Sequence, residues 1–395
     1  MGNPAGQFSA RKGHTVMEDK DTKSRPVSTE LPLRDAVAIA GKFASKAGVI
    51  PVLSCALIMP DGMIAATDLT RRVSIRTDAR IAAPICVDAA NLAKALGRNG
   101  SFRLEIDGRN LVIKRGRSKS VVAGLPPDDF PLAPAMSDET TSLTVPAKAW
   151  MDALGCAHIF VSKDPSKPYI SGGHVEIGER VEIVSTDGHR LFWADLGNAE
   201  DLGMSGPHFR GDIPAETLAV VSGCFPDSAE LNVSFDAKSL RVSGGAVSIS
   251  SQLLQDSYPD WRRIVMTEDY SLEFKVSAPD MGSAVRDVSW ACGATAEKGI
   301  RATRISVDDG AAIISSVDSA DGVTEAQSEI PVYDEAGPKS REPFSFIANS
   351  RYLADIFGVY GTGSAVIRCI SPQNPFTIVG VDEPGKICIL MPIRR

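Results

Sequence analysis

The chain has no paired-cysteine motif. Its seven cysteines (Cys55, Cys86, Cys156, Cys224, Cys292, Cys369 and Cys388) are odd in number and far apart, and none has C-x-x-C spacing. That pattern excludes a zinc ribbon and a disulfide framework and reads as small core residues in a reduced, cytoplasmic protein. No run of 18 apolar residues is present, so no membrane-spanning helix is expected. The start of the chain lacks the apolar stretch of a secretory signal. Neither a G-x-S-x-G elbow nor an H-E-x-x-H pair occurs, and no metal or organic cofactor is expected. An excess of positive charge is also missing. The net charge is −7 and the pI about 5.4. Bulk attraction to nucleic acid or to an anionic membrane is therefore not expected, although net charge averages over faces and leaves room for a local basic surface.

What is present is enough apolar residue for more than one core: 43% over 395 residues, the length of two or three domains. Residues 1–27 are polar and mixed in charge and read as a disordered leader. The remainder repeats. Val87–Gly97, Ile213–Gly223 and Ala348–Gly358 each place a leucine five positions after the start and a glycine ten after it. Each opens on a cap-like residue (Asp88, Pro214, Asn349) and predicts a short helix closed by its glycine. Upstream of each, a strand-like run ends in aspartate: Asp68, Asp187 and Asp318. Each unit opens with an amphipathic helix. The first, Leu33–Lys46, carries Leu33, Val37, Ala40 and Phe43 on one face and Arg34, Lys42 and Lys46 on the other. Pro146–Phe160 and Ala278–Cys292 fill the same place in the second and third units. The order of markers, three times over, predicts three α+β domains, 28–136, 143–265 and 271–395, joined by extended linkers.

One stretch concentrates polar chemistry: Ser185-Thr186-Asp187-Gly188-His189-Arg190-Leu191-Phe192, an Asp-Gly turn after a strand. Asp187 and His189 with Ser185 or Ser171 would suit a hydrolase, but the motifs that such chemistry needs are missing.

Together the motifs resemble those of the bacterial sliding clamps, the β subunit of DNA polymerase III. Thr186-Asp-Gly-His-Arg-Leu191 is similar to the family's T-D-G-H-R-L. Tyr258-Pro-Asp-Trp-Arg-Arg-Ile264 is similar to its F-P-D-Y-R-R-V, and Leu390-Met-Pro-Ile-Arg394 to its closing V-M-P-M-R. Gly116-Arg-Ser-Lys119, Leu125–Pro131 and Ile50-Pro-Val-Leu53 match further family stretches. The resemblance implies a non-enzymatic processivity factor, a head-to-tail homodimer of three-domain subunits, with paired helices lining a hole and antiparallel sheets outside. Its implied partners are double-stranded DNA without sequence preference, a second copy, the polymerase catalytic subunit, the clamp loader and other proteins bearing a Q-L-x-L-F-like motif. The implied client pocket uses Ile170, Thr186, Gly188, His189, Arg190, Leu191, Pro259, Arg263 and Ile264. From the third domain come Asn349, Tyr352, Pro375, Thr377, Leu390, Met391, Pro392 and Ile393. Arg34, Lys42, Lys46, Arg98, Lys163, Lys167 and Tyr169 are the candidate DNA contacts. Ser120, Val122, Ser289 and Trp290 are the candidate dimer contacts. Ser120 stands where the family has phenylalanine, Ala47 where it has arginine, and Pro168 where it has a second loop tyrosine. These departures leave open an accessory clamp with clients of its own.

Overall fold

The structure is a computed structural model. It describes residues 30–46, 50–97, 100–131, 133, 135–225, 228–265, 270–293, 300–308, 310–317, 324–336 and 344–394. Arg98, Asp318 and the leader lie outside these residues.

Three successive units share a common element order: a first helix, three strands, a strand running into a second helix, then three more strands; the second and third units add a leading strand (Thr141–Pro146 and Leu272–Ser277), and the third adds Tyr333–Ala336 ahead of the strand that enters its second helix. The first helices are α1 (Leu33–Ala40), α3 (Ala147–Phe160) and α5 (Ala278–Ser289). The second helices are α2 (Ala89–Leu96), α4 (Ala215–Val221) and α6 (Ser350–Val359). α3 shows why they form. Ala147, Trp150, Ala153, Leu154, Ala157 and Phe160 recur at three- and four-residue steps and are all buried. Trp150 meets Phe235 edge to face at 6.4 Å, and Phe160 meets Phe192 at 5.6 Å. The two contacts fix the helix against two sheets, Phe235 belonging to the 11-stranded and Phe192 to the 9-stranded one.

Two helix expectations need correction. The first helix stops at Ala40 and not at Lys46, because the chain turns at Gly41, where Lys42 and Phe43 donate to Ile39 and Ala40 carbonyls in the tighter three-residue pattern. Phe43 is still buried. The repeated glycine closes only one short helix in the left-handed conformation, Gly97 at φ 57; Gly358 sits inside α6. The caps act at the front ends. Asp88 accepts from Asn91 N–H, and Asn349 accepts from Arg351 and Tyr352 N–H.

The units join through their third and last strands. These are β1 (Arg71–Arg76) and β2 (Ser118–Leu125) in the first unit and β3 (Arg190–Asn198) and β4 (Val247–Gln252) in the second. In the third unit they are β5 (Gln327–Pro331) and β6 (Lys386–Leu390). β1 pairs antiparallel with β4, and β3 pairs antiparallel with β6. The same rule used twice merges the strands into an 11-stranded sheet across the first junction and a 9-stranded sheet across the second. It leaves β5 on the edge of a four-stranded sheet. β2 is held by Asn110–Arg115 on one side and on the other only at Gly124–Leu125.

Each linker folds back and inserts one aromatic ring against the outer sheet face. Phe130 packs with Val52, Leu53 and Cys86, and Trp261 with Val184, Leu191 and Ile389. Buried carboxylates hold these segments. Asp236 accepts from Ser137 N–H in the first linker; Glu176 and Glu182 grip Arg262 in the second. Burial pushes the Asp236 and Glu176 carboxyls up. For Asp236 the N–H groups of Ser137, Lys238 and Ser239 outweigh that; for Glu176 the Arg262 and Arg210 guanidiniums do, so both lie below their ordinary values. Asp68 is lowered in the same way, burial being outweighed by Arg71 and Thr70. A carboxyl whose folded pKa is depressed stabilises the fold above its unfolded value, and that contribution disappears as pH falls through the folded value. Urea midpoints should therefore hold steady from pH 7 to about 5 and drop below about pH 4. Asp236→Asn should flatten part of that drop. A midpoint at pH 3 equal to that at pH 7 would contradict the linkage.

Candidate functional site

The second junction assembles most of the candidate pocket residues. Thr186 ends a strand and builds the turn: its Oγ1 donates to Arg190 O at 2.6 Å and accepts from Gly188 N–H at 3.0 Å. Asp187 accepts from the N–H groups of His189 and Arg190 at 2.9 and 3.1 Å. Gly188 has φ 89, a conformation that glycine adopts without steric cost. The turn pushes His189 into solvent, with its ring centroid 6.4 Å from that of Tyr352 on α6. Met391 N–H donates to His189 O at 2.9 Å, and Ile393 N–H to Ile347 O at 2.8 Å, so the closing segment lies directly beside the turn. Met391 is exposed; Pro392, Ile393, Asn349 and Pro375 are half-buried.

Strand register sorts the remainder by face. Leu191, Ile389 and Thr377 stand abreast on the outer face, with Trp261 against the first two. Ile264 and Pro259 are exposed beside them, and Arg263 pairs with Asp260 at 3.0 Å. Leu390 stands abreast of Arg190 and Phe376 on the opposite, helix-facing side and is fully buried. Ile170 is buried at the end of a short 3₁₀ turn.

Arg190 is 5% exposed and its guanidinium is spent on the junction. It donates to Asp187 Oδ2 at 3.0 Å, to Asp355 Oδ2 at 2.7 Å and to the Ile159 carbonyl at 2.7 Å. It also lies between the rings of Phe160 and Tyr352, 4.8 and 4.2 Å from their centroids. Asn349 is spent on its helix cap and Thr186 on its turn. Of the polar candidates on the turn, His189 is the one whose ring faces solvent. Burial raises the Tyr352 phenol, and the nearby Asp187 adds to that. Sequence inspection missed Asp355 and Phe160. Asp355 falls three residues after Tyr352 on α6, and no local signal marks a residue whose partner is 165 positions away. The Asp187–His189 pairing that a hydrolase would need is not made: Nδ1 and Oδ1 are 3.9 Å apart and the carboxylate serves Arg190. Ser185 is fully buried and Ser171 Oγ donates to Pro168 O.

The basic candidates scatter. Lys42, Lys46 and Lys163 line one cavity of about 790 Å³ at the first junction, with Arg71 and His158. Lys42 Nζ also reaches Gly223 O at 3.4 Å, linking the first and second units. Arg34 is engaged elsewhere: it donates to the Leu96 and Gly100 carbonyls and covers the Phe102 ring, closing the end of α2. Lys167 belongs to the His189 turn; a Cβ added at Gly188 would lie 3.6 Å from its Nζ. Tyr169 is exposed. Ser120 is half-buried and Val122 buried, whereas the neighbouring Val121 is 55% exposed; Ser289 and Trp290 end α5, with Trp290 62% exposed.

Removing Arg190 would strip Asp187 of its guanidinium partner and leave Asp355, across the junction, to the exposed Arg351, 4.0 Å away. Arg190→Ala should lower stability by about 2–4 kcal/mol in urea unfolding, and Arg190→Lys should recover little of it, since one ammonium cannot serve three divergent acceptors. Full recovery by lysine would show that charge alone suffices.

No family model matches the chain. Curated relatives match nearly its whole length. The beta sliding clamp of Caulobacter vibrioides is 26% identical over 380 residues, covering 92% of this chain and 97% of the relative. That of Staphylococcus aureus is 25% identical over 286 residues, 72% of each chain. Among solved structures, the beta subunit of Streptococcus pyogenes DNA polymerase superposes with a TM-score of 0.80 at 18% identity, covering 92% of this chain and 98% of that one. The Thermotoga maritima DNA polymerase III beta subunit gives 0.77 at 22% identity, covering 93% and 98%. By fold, and by a sequence match over as much as 92% of its length, the chain is similar to the bacterial beta sliding clamps.

Proposed function

We propose that the chain is a non-enzymatic sliding clamp of DNA replication, acting in the cytoplasm: two copies close head to tail around duplex DNA and tether client proteins through the cleft beside His189. The observation that carries this is the joining rule. The third strand of each unit pairs with the last strand of the next, twice, and among the described residues what remains is one third strand with a free edge, β5, and one last strand, β2, whose second edge is paired only at Gly124–Leu125. A third use of the rule, between copies, pairs β5 with the partner's β2. A head-to-tail contact that closes after two copies makes a ring of six units, taken here as residues 28–136, 143–265 and 271–395 of each copy. Trp290, exposed at the end of α5, supplies bulk to that seam where Ser120 has little. The outward Val121 takes this place instead of Val122, which is buried in the core of its own unit.

A ring holds DNA by topology, so the lumen needs only weak, sequence-blind attraction to phosphate. The cavity lined by Lys42, Lys46 and Lys163 supports this reading, with Asp68 and Glu216 in the same lining keeping the attraction weak. In the client cleft, Ile264, Met391, Pro392 and Ile393 would cover the apolar side chains of an extended Q-L-x-L-F-like peptide, while Leu191 is buried against Trp261. Each fully buried side chain is worth about 1.5–3 kcal/mol. His189 would meet the glutamine or the peptide backbone, and Met391 adapts to differing clients. Arg190, Asn349 and Thr186 hold the walls in place.

The test of the ring is loading onto a nicked circular plasmid with a clamp loader, followed by cutting. Protein bound by encirclement leaves the linearised DNA; retention after cutting would mean ordinary site binding. Trp290→Ala should weaken the dimer about tenfold in analytical ultracentrifugation, as expected for a large aromatic lost from an interface centre. An unchanged dimer constant would remove Trp290 from the seam.

A further inference from the structure

The turn that carries His189 has a twin at the first junction. In Thr67-Asp68-Leu69-Thr70-Arg71, Thr67 Oγ1 donates to Arg71 O at 2.7 Å and accepts from Leu69 N–H at 3.1 Å. Asp68 Oδ1 accepts from the N–H groups of Thr70 and Arg71 at 3.0 and 2.7 Å, and its Oδ2 from Arg71 Nε at 2.9 Å. Every bond has its counterpart in Thr186–Arg190. The contacts from the next unit match too. Gln252 N–H donates to Thr70 O at 2.9 Å as Met391 does to His189 O, and Leu254 N–H to Asp212 O at 2.9 Å as Ile393 does to Ile347 O. The linker supplies the facing wall in both places, Pro131 and Met136 here.

The lining is different. The row that holds Leu191, Ile389 and Thr377 at the second junction is Arg72, Ser250 and Arg241 at the first. Both arginines are half-buried on the outer face, and among the described residues neither forms an ion pair. Arg72 donates one N–H to Pro131 O at 2.6 Å, while its Nε is buried without a partner. At the tip, where the other turn has Gly188, stands Leu69 at φ 79 and 53% exposed. A leucine there carries backbone strain and gains no burial in return.

We propose that this cleft is a second docking site, which takes an extended acidic segment of a partner protein. Its carboxylates bind Arg72 and Arg241 in charge-assisted pairs, and an apolar side chain covers Leu69 and Met136. The two cations, which lack a carboxylate partner among the described residues although Arg72 also holds Pro131 O and lies over the Phe130 ring, choose the sign of the occupant, and the exposed leucine supplies its anchor. The inference rests on the first junction alone and stands apart from the client reading of the second.

The test is fluorescence anisotropy with the full-length dimer and a fluorescein-labelled peptide of alternating aspartate and leucine. Arg241→Glu should weaken binding about tenfold or more by reversing one charge, and Leu69→Gly about threefold by removing the anchor. Met391→Ala should leave this peptide unaffected while weakening a Q-L-x-L-F peptide. Melting curves check that each variant is folded. Equal affinity for wild type and Arg241→Glu would overturn the proposal. So would loss of binding in Met391→Ala, or displacement of the peptide by an oligothymidine, which would assign the arginines to phosphate.

Discussion

The structure depends on one strand pairing, β3 against β6, with Arg190 driven through it. A sheet shared between two units is an interface made of main-chain hydrogen bonds, and its register cannot slide without exposing every buried side chain on both faces. Arg190 then ties the turn of one unit to helix α6 of the next and to the end of α3. A planar cation with five fixed donors, held between two rings, suits a rigid corner better than a recognition group. Rigidity at that corner fixes the cleft beside His189, because His189, Tyr352 and Met391 belong to different units and keep their spacing only while the corner holds. It also sets the angle between units, on which ring closure depends.

The linkers solve a related problem. A clamp-like chain must pass from one unit to the next on the outside, leaving the helices free to face inward. Each linker returns to the outer sheet with one aromatic side chain, and buried carboxylates then fix its path. At the second junction Trp261 covers Leu191 and Ile389 on the outer face, so the segment that connects the units also buries their side chains. Repetition explains why the first junction has the same scaffold: the joining rule produces the turn, the neighbouring strand and the linker wall together. What differs between the two clefts is the row of side chains on the outer face, apolar in one and cationic in the other.

Much of this was legible in the residues. The three-fold order of helix, aspartate-ended strand and capped short helix follows from local chemistry: apolar period, Asp88 and Asn349 at their caps, and the Asp-Gly turn. The Asp68 and Asp187 markers even signal the right structural event, an aspartate that folds back on its own arginine. Where the reading slipped, a weak local signal was asked to do too much. A glycine at the tenth position is a weak stop signal by itself, and of the three only Gly97 has a positive φ. The run to Lys46 looked helical by period, but Gly41 lets the last turn tighten.

The sequence by itself determined the three units, their helices and the turn that presents His189, because each is set by interactions within about ten residues of chain. Only the tertiary structure decided what the polar residues do. Arg190 is committed to Asp355, 165 positions away, Arg34 closes a neighbouring helix, and Leu390 faces the core while Leu191 faces out. The physical reason is that a side chain's role is fixed by what lies across a strand pairing or a unit boundary. Register and packing set that, and no window of sequence contains both sides.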